Sequence, residues 1–231
     1  MKINYCHYFG KQSINDISVG FLTAEVDSNE EHFALDNGWL FDKGVWYQCR
    51  STRIDTDFFV PKKTFPSSYT TEIKSIDECD ITKISEIYNK YIQYKNYDDL
   101  FDPLKYTDRC KFLLVYNKNE LIAFTKFTLY NGGIESNIFC WDYSEPKMSL
   151  GKCIVNKEIE YVKSLGLKYL YYGPGYESSC EYKTHIKGFE WWTGKSWSTD
   201  KELFRELINS DSEVTTIDQL EQAKEKFLDR L

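Results

Sequence analysis

Short runs of apolar and aromatic residues, separated by polar, glycine and proline positions, form the pattern of the first third of the chain. The runs SVGFLTAEV and GVWYQCRSTRI are rich in the β-branched and aromatic residues that strands prefer. Gly38, Gly44, Pro61 and Pro66 interrupt the pattern and indicate turns. The sequence therefore predicts a small β-rich lobe over residues 1–72.

The pattern changes near Ile73 from strand-like to helical. After Asp80, apolar residues recur three and four positions apart, which predicts an amphipathic helix. The recurring residues are Ile81, Ile84, Ile87, Tyr88 and Tyr91. Three strand-like runs follow, KFLLVYN, ELIAFTKFTLY and IESNIFCWDYS, joined by the links KN and NGG. Because Asn and Gly accept the positive φ of hairpin turns, these runs predict three antiparallel strands.

A second helix is predicted after Ser149, since serine is a favoured N-cap residue. Its apolar face carries Ile154, Tyr161, Val162 and Leu165. Gly166 is expected to end this helix in the left-handed conformation, and the strand KYLYYG follows at once. A short polar helix and a last strand, FEWW, complete the series.

This order of elements resembles the GNAT acyltransferase fold. We therefore predict an α+β protein with a GNAT-like acyltransferase domain over residues 73–198, preceded by the small N-terminal β-rich lobe. Polarity rises from Thr199, and residues 199–231 are expected to form a C-terminal helical extension. An amphipathic helix within it is predicted behind Thr216, with Gln219 completing a capping box.

Charge and composition narrow the classes of function. The 231 residues carry a formal net charge of −7, which argues against a broad nucleic-acid surface but allows a local basic pocket. No apolar run approaches the roughly 18 residues that span a bilayer, and the N-terminal MKINYCHYFGKQ has no signal-peptide pattern. We expect a cytoplasmic protein that has neither membrane nor DNA as a partner. The seven cysteines include no CxxC pair and no zinc-ligand spacing, so no metal and no cofactor are predicted.

The start of the second predicted helix bears on the choice of acyl donor. An acetyl-CoA enzyme needs a glycine-rich arm there, (Gln/Arg)xxGx(Gly/Ala), so that backbone N–H groups approach the pyrophosphate. The segment MSLGKCIV places Met148, Gly151 and Cys153 at those positions. This disfavours CoA, although an acyl-CoA N-acyltransferase stays open as the alternative enzyme. Lys147 and Lys152 would help the helix start to receive a different anion.

Two consecutive segments, SLGKCIVNKEIEYVKSLGLKYLYYG and SSCEYKTHIKGFE, resemble the C-terminal half of the arginyl-tRNA–protein transferase family, including its bacterial leucyl-transferring branch. In that family a Ser-Leu-Gly helix leads to a GLxYxYxG strand, a Tyr-Lys pair and a Glu seven residues after the Lys. Tyr182, Lys183 and Glu190 occupy the last three places. The segment from Ala34 to Phe65 is similar to the family's upstream half at Gly38, Trp39, Gly44, Tyr47, Cys49, Arg53, Phe59 and Pro61.

The resemblance implies transfer of an amino acid, arginine or a leucine-like one, from an aminoacyl-tRNA to the N-terminus of a protein or peptide. Because the ester is already activated, the enzyme has to align the acceptor amine, remove its proton and stabilise the oxyanion. Glu190 is the candidate catalytic base, whereas His185 is interpreted as positional. The candidate substrate-binding residues are Arg53, Tyr171, Gly173, Gly175, Tyr182 and Lys183, and the candidate tRNA-binding residues are Lys147, Lys152 and Lys187.

The sequence also departs from the family's pattern. Leu40 and Phe41 stand where the family has two arginines, and its basic run is reduced here to PKKTFPSS. Of the family's clustered N-terminal cysteines, only Cys6 and Cys49 remain as candidate metal ligands. A family member that binds peptide or tRNA without turnover is therefore the non-enzyme alternative.

Overall fold

A computed structural model describes residues 2–12, 15–42, 44–61, 63–95, 109–143 and 150–214, together with residues 216, 218, 219 and 222; for residues 2–12 and 15–21 it describes the backbone alone. The strands in these ranges are β1 (Lys2–Gln12), β2 (Asn15–Glu25), β3 (Trp39–Asp42), β4 (Val45–Gln48), β5 (Ser51–Asp55), β6 (Tyr69–Lys74), β7 (Cys110–Asn117), β8 (Glu120–Tyr130), β9 (Gly133–Trp141), β10 (Tyr169–Pro174), β11 (Phe189–Trp192) and β12 (Trp197–Ser198). The α-helices are α1 (Glu31–Asp36), α2 (Ile81–Lys95), α3 (Leu150–Ser164) and α4 (Lys201–Asp211), and 3₁₀ helices span Ser28–Glu30, Ile76–Glu78 and Ser178–His185.

The larger sheet has the strand order β12-β11-β5-β10-β9-β8-β7-β6. Its neighbouring strands are antiparallel except for β9 and β10, which are parallel. Strand β5 comes early in the sequence, yet it pairs with β10 on one side and β11 on the other. The sheet is therefore assembled from distant parts of the chain.

The two faces of this sheet are covered by different helices. Phe112 packs in a core with Ile84 and Ile87 of α2. Its neighbour on β7, Leu113, packs in a second core with Ile154 of α3. Because successive side chains of a strand point to opposite faces, α2 and α3 cover opposite sides of the sheet.

A smaller sheet, β1-β2-β4-β3, lies on the face that α2 covers. Its Trp39 and Trp46 pack in one core with Tyr130 of β8 and Tyr171 of β10. Tyr171 neighbours Leu170, which belongs to the core under α3, so alternation along β10 gives one residue to each core. The smaller sheet thus covers the end of the larger sheet that α2 leaves open.

Most elements of the second half form as the pattern predicts. The helix behind Asp80, the three antiparallel strands, the strand after Gly166 and the final strand are confirmed as α2, β7–β9, β10 and β11. Gly166 has φ +70° at the end of α3, as expected for a left-handed terminator. The predicted α+β protein with a GNAT-like order of elements and a small N-terminal sheet is confirmed. Ser149, the expected cap of α3, lies outside the described residues.

The run GVWYQCRSTRI differs from its prediction as one strand-like run of the N-terminal lobe. It breaks at Cys49 and Arg50: β4 belongs to the smaller sheet and β5 to the larger one. Arg50 turns its backbone N–H to the Tyr176 hydroxyl, 2.8 Å away, instead of continuing the β4 ladder. The larger sheet therefore contains strands from both sides of residue 72, and the three expected domain boundaries stay predictions.

The C-terminal part adds a helix that the pattern did not resolve. Asp200 caps α4 by accepting a hydrogen bond from the Leu203 backbone N–H at 3.0 Å, and Phe204 and Ile208 bury against β11. Most of the amphipathic helix predicted behind Thr216 lies outside the described residues. Within the described ranges, no helix is long and apolar enough to cross a membrane.

Candidate active site

The pocket of interest opens where two parallel strands separate. Strands β9 and β10 share only two registered pairs, Ile134 with Leu170 and Glu135 with Tyr171. Beyond them β10 departs from the ladder, and its pairing with β5 shifts register between Tyr171 and Pro174. A cavity of about 1000 Å³ occupies the resulting gap.

Six parts of the chain contribute walls to this cavity, which we call the splay pocket. The residues are Phe59 and Val60 after β5, Tyr91 and Lys95 of α2, Asn137 to Phe139 and Trp141 of β9, Leu150 to Lys152, Val155 and Asn156 of α3, Tyr172 of β10, and Ser179, Tyr182 and His185 to Lys187 around the last 3₁₀ helix. One wall is aromatic: the Trp141 ring lies 5.1 Å from that of Phe139 and 4.3 Å from that of Tyr143. The pocket therefore has an apolar, aromatic wall.

The charged side chains around the splay pocket are basic. Lys95, Lys152 and Lys187 line it, whereas the described lining residues include no Asp or Glu. Since the whole chain carries −7, this is a local reversal of charge. Such a concave basic site attracts anions.

A buried lysine holds the departing end of β10 in place. Lys183 is 5% exposed, and its Nζ donates to the carbonyl oxygens of Tyr172 (2.6 Å) and Pro174 (2.8 Å) and to Thr52 Oγ1 (3.3 Å). Gly173 between them has φ +69°, a conformation that favours glycine. Burial lowers the pKa of Lys183. The Lys183 ammonium group therefore holds the backbone turn after β10 in place below the pocket.

Helix α4 fixes the same turn from outside. Arg50 pairs with Asp211 at the end of α4, donates to the Gly175 carbonyl oxygen at 3.3 Å and lies 5.1 Å from the centre of the Tyr176 ring. A Cβ atom at Gly175 would lie 2.5 Å from Phe204 Cζ, so only glycine fits against α4 here. The C-terminal helix thus determines the path of the chain that leaves β10.

Three of the sequence-predicted site residues lie on the opposite face of the sheet. Arg53 is opposite both Glu190 and Tyr171 in register, so the three side chains share the face that carries the smaller sheet. Arg53 Nε donates to Glu190 Oε2 at 2.7 Å, and its guanidinium lies 3.6 Å and 4.0 Å from the ring centres of Tyr169 and Trp197. These contacts join β5, β10, β11 and β12.

The structure therefore separates the residues that the sequence was expected to bring together. Tyr182, Lys152 and Lys187 line the splay pocket, as does His185. Lys183 and Gly175 lie beneath it, and Glu190 does not converge with Lys183 because the sheet stands between them. Lys147 lies outside the described residues. The catalytic and binding roles expected of these residues stay predictions.

Two buried carboxyl groups were missed by the sequence analysis. Glu158 of α3 accepts hydrogen bonds from Thr125 Oγ1 (2.9 Å) and Ser136 Oγ (3.1 Å), and burial raises its pKa to about 7. Glu135 of β9 accepts from the Tyr130 hydroxyl at 2.9 Å, and burial likewise raises its pKa to about 7. Glu158 was detectable: it lies midway between Ile154 and Val162 in the apolar stripe of α3.

Cys49 is buried and its sulfur lies 3.2 Å from Ser51 Oγ. Burial raises the pKa of this thiol to about 12, so it is held protonated at neutral pH. In the part of the chain that the structure describes, no cluster of three His, Cys, Asp or Glu side chains has metal-binding geometry. The side chain of Cys6, the other candidate ligand, is not among those described.

An α+β fold with a basic, aromatic pocket at a strand separation fits a group-transfer enzyme with an anionic donor. The comparisons with known proteins define the class further. The family model described as "Arginine-tRNA-protein transferase, C terminus" matches residues 67–193. The chain belongs to this family and is an aminoacyltransferase. The family uses aminoacyl-tRNA and protein substrates.

Sequence relatives are consistent with this membership. An aspartate/glutamate leucyltransferase of Acinetobacter baumannii is 27% identical over 191 residues, which cover 74% of this chain and 70% of the relative. Another, from Saccharophagus degradans, is 25% identical over 169 residues, covering 65% and 71%. Among solved structures, L-PGS from Bacillus licheniformis superposes with a TM-score of 0.44 at 12% identity, covering 62% of this chain and 49% of that one.

Proposed function

We propose that the splay pocket binds the aminoacylated 3′ end of a tRNA together with the N-terminus of an acceptor protein, and that the amino acid passes between them there. The observation that carries this proposal is the combination of an aromatic wall with a rim of lysines in a chain of net charge −7. A nucleotide end offers a flat base and phosphates, and both find a complementary surface. The cavity of about 1000 Å³ has room for a nucleoside ester and a peptide end.

The aromatic wall of β9 is the proposed platform for the terminal base. Bases stack on aromatic side chains with little sequence preference, which suits an end that is common to all tRNAs. Trp141 is the central ring of this wall, between Phe139 and Tyr143. Tyr171, expected from the sequence to share this role, is 2% exposed and donates instead to Asp36 Oδ1 at 3.1 Å.

Leucine is the proposed donor amino acid, in preference to arginine. An arginyl side chain buried in a pocket requires a carboxylate partner, and the described lining has none. Ile138, Leu150 and Val155 instead supply aliphatic surface. The names of the relatives also state leucyl transfer.

The proposed acceptor is a protein whose first residue is Asp or Glu, the acceptors stated in the names of the relatives. Lys187 and His185 belong to the segment around the last 3₁₀ helix, whereas Lys95 and Lys152 belong to α2 and α3. One of these groups would hold the acceptor carboxylate and the other the tRNA phosphates. Since aminoacyl-tRNA is a cytoplasmic metabolite, we place the reaction in the cytoplasm.

The deciding experiment measures which label moves to which peptide. Peptides beginning with Asp, Glu, Ala or Lys are incubated with the protein and with radiolabelled leucyl-tRNA, arginyl-tRNA or acetyl-CoA. Label is expected on the Asp and Glu peptides from leucyl-tRNA alone. Lys152→Ala should raise the KM for leucyl-tRNA, whereas the matched control Lys163→Ala, an exposed lysine of the same helix outside the pocket, should not.

Three outcomes would contradict the proposal. Transfer from acetyl-CoA would make the chain an acyl-CoA N-acyltransferase. Efficient transfer from arginyl-tRNA would show that the apolar lining does not select the donor. Tight binding of leucyl-tRNA without transfer to any peptide would identify a non-catalytic family member.

A further inference from the structure

A carboxylate lies where the packing of α3 calls for an apolar side chain. Glu158 is fully buried, one turn from Val155 and Val162, which are apolar. It faces the sheet at β8 and β9, where the hydroxyl groups of Thr125 and Ser136 both donate to its Oε1 atom. Buried carboxylates in apolar surroundings are costly and are seldom kept without a use.

The second oxygen of this carboxylate is not engaged. Glu158 Oε2 is buried and has no hydrogen-bond partner among the described residues. Two hydroxyl groups thus fix the orientation of the carboxylate through Oε1 and leave Oε2 able to accept a proton. Buried polar atoms are normally hydrogen-bonded, and the nearby hydroxyl group that interacts with this carboxyl group is that of Tyr172.

Tyrosine side chains connect this carboxylate with the splay pocket. Tyr172 lines the pocket, and its hydroxyl is close enough to Glu158 that each group shifts the pKa of the other. Beyond it, the Tyr182 ring lies 6.4 Å from that of Tyr172, edge to face, at the pocket surface. Among the described residues, the titratable group found to act on Glu158 is therefore the Tyr172 phenol of β10, with Tyr182 of the 3₁₀ helix acting on Tyr172 in turn; β8 and β9 present the hydroxyls of Thr125 and Ser136, and α3 adds the Tyr161 phenol one turn away.

We propose that Glu158 is the proton acceptor of the transfer reaction and that it is reached from the pocket through the Tyr172 hydroxyl. The inference rests on the proposed function. The acceptor arrives as an ammonium ion; Tyr172 takes one of its protons while passing its own to Glu158 Oε2. The amine then forms the C–N bond, the bond to the ribose oxygen breaks, and a second proton moves from nitrogen to that oxygen. The proton on Glu158 is lost to solvent between turnovers.

The acidity of the groups suits this step. An α-amino group has a pKa of about 7.7–8.0, and burial raises the pKa of Glu158 to about 7. A base is most effective when its pKa lies near the working pH. Glu158 acts through Tyr172 and does not touch the substrate, so it is a positioning and proton-storing residue in this scheme.

The test is the pH profile of single-turnover leucyl transfer by the full chain at saturating leucyl-tRNA and Asp-peptide. For the wild type the rate is expected to rise through pH about 7, as a carboxylic acid in this position ionises. Glu158→Gln keeps the shape and the acceptor oxygen; it should lower the rate about 10²-fold and shift the rise upward to the pKa of the free amine, with KM for both substrates unchanged. Tyr172→Phe should reproduce both effects. Glu160→Gln, on the exposed side of the same helix, is the matched control and should behave as the wild type.

The possible results separate this inference from the proposed function. If both variants fold and keep the wild-type rise near pH 7, or lose rate equally at every pH, Glu158 is structural and the inference is wrong. If Glu158→Gln does not fold, the profile of Tyr172→Phe decides in the same way. A wild-type protein that transfers nothing at any pH overturns both proposals. An active wild type whose two variants have the same pH profile as the wild type overturns only this one.

Discussion

Replacing Lys183 by methionine is expected to destabilise the fold rather than merely to weaken tRNA binding. The Lys183 ammonium donates to two backbone carbonyl oxygens and to Thr52 Oγ1 at 2.6–3.3 Å. After the change, the Tyr172 carbonyl oxygen still accepts a hydrogen bond from Thr52 Oγ1 at 2.9 Å, whereas the Pro174 carbonyl oxygen loses its hydrogen bond from the lysine. Hydrogen bonds to a charged group contribute about 1.5–3 kcal/mol each, and removing a buried charge returns part of that through avoided dehydration. We expect a net loss of about 2–4 kcal/mol.

Urea unfolding at pH 7, followed by tryptophan fluorescence, measures this loss. Lys183→Gln retains an amide donor in the same place and should lose about half as much. Lys187→Met, four residues away and exposed, is the control and should stay within about 0.5 kcal/mol of the wild type. A Lys183→Met variant that matches the wild type in stability but binds leucyl-tRNA poorly would refute the reasoning and return this lysine to the pocket.

The lowered pKa of Lys183 also predicts how the stability of the fold depends on pH. Burial lowers its pKa below the ordinary 10.5, so the unfolded chain binds this proton more tightly than the folded chain does. Its contribution to stability is therefore complete above pH about 10.5 and is lost as the pH falls through the lowered pKa. The difference between wild type and Lys183→Met should widen as the pH is raised across that interval.

Three further expectations follow from contacts described above. Glu190→Gln should lower the free energy of unfolding by about 1–3 kcal/mol, because it weakens a charged hydrogen bond to Arg53, but it should leave the transfer rate within about threefold of the wild type. A hundredfold loss of rate in a folded variant would instead support the catalytic role expected from the sequence. Lys152→Ala should lower the slope of log K against log salt for tRNA binding by about 0.7–1, and an unchanged slope would place the phosphates elsewhere. Burial raises the pKa of Glu135 and Glu158 to about 7. The contribution of each group to the free energy of unfolding should therefore be complete below pH about 4.5 and fall by up to about 3 kcal/mol as the pH rises to 7. Denaturation midpoints of Glu158→Gln should decline less steeply with pH than those of the wild type.

The sequence was informative where structure is local. Helical spacing after Asp80, the turn at Asn131 and Gly132 and the left-handed Gly166 each depend on neighbours within a few residues, and all three form as expected. The family resemblance was equally local in its motifs, and the family model, over residues 67–193, covers the later of the two segments that carried it. Elements of this kind can be predicted because the interactions that determine them lie close together in the sequence.

The arrangement of the site could not be obtained in the same way. Lys183 and Glu190 are seven residues apart in the sequence, yet they occupy opposite sides of the sheet because β11 pairs with β5. Arg53 opposes Glu190 across that pairing, a contact between residues 137 positions apart. Strand pairing over such distances follows from packing and not from spacing, so a motif predicted the correct residues without predicting what they contact.

Strand β5 gives the chain an unusual order of assembly. Strands β10 and β11 do not pair with each other; each takes β5 as its neighbour, across more than a hundred residues of intervening chain. During synthesis, β5 would leave the ribosome long before either partner and would have to wait for them, and such non-local pairing is slow to form. A fragment that begins after Pro66, just before β6, would lack β5 and would leave β10 and β11 with unpaired edges on either side of a gap one strand wide. The early segment, supplied as a separate peptide, fits that gap, so we expect a transferase divided at this point to be reconstituted from its two parts.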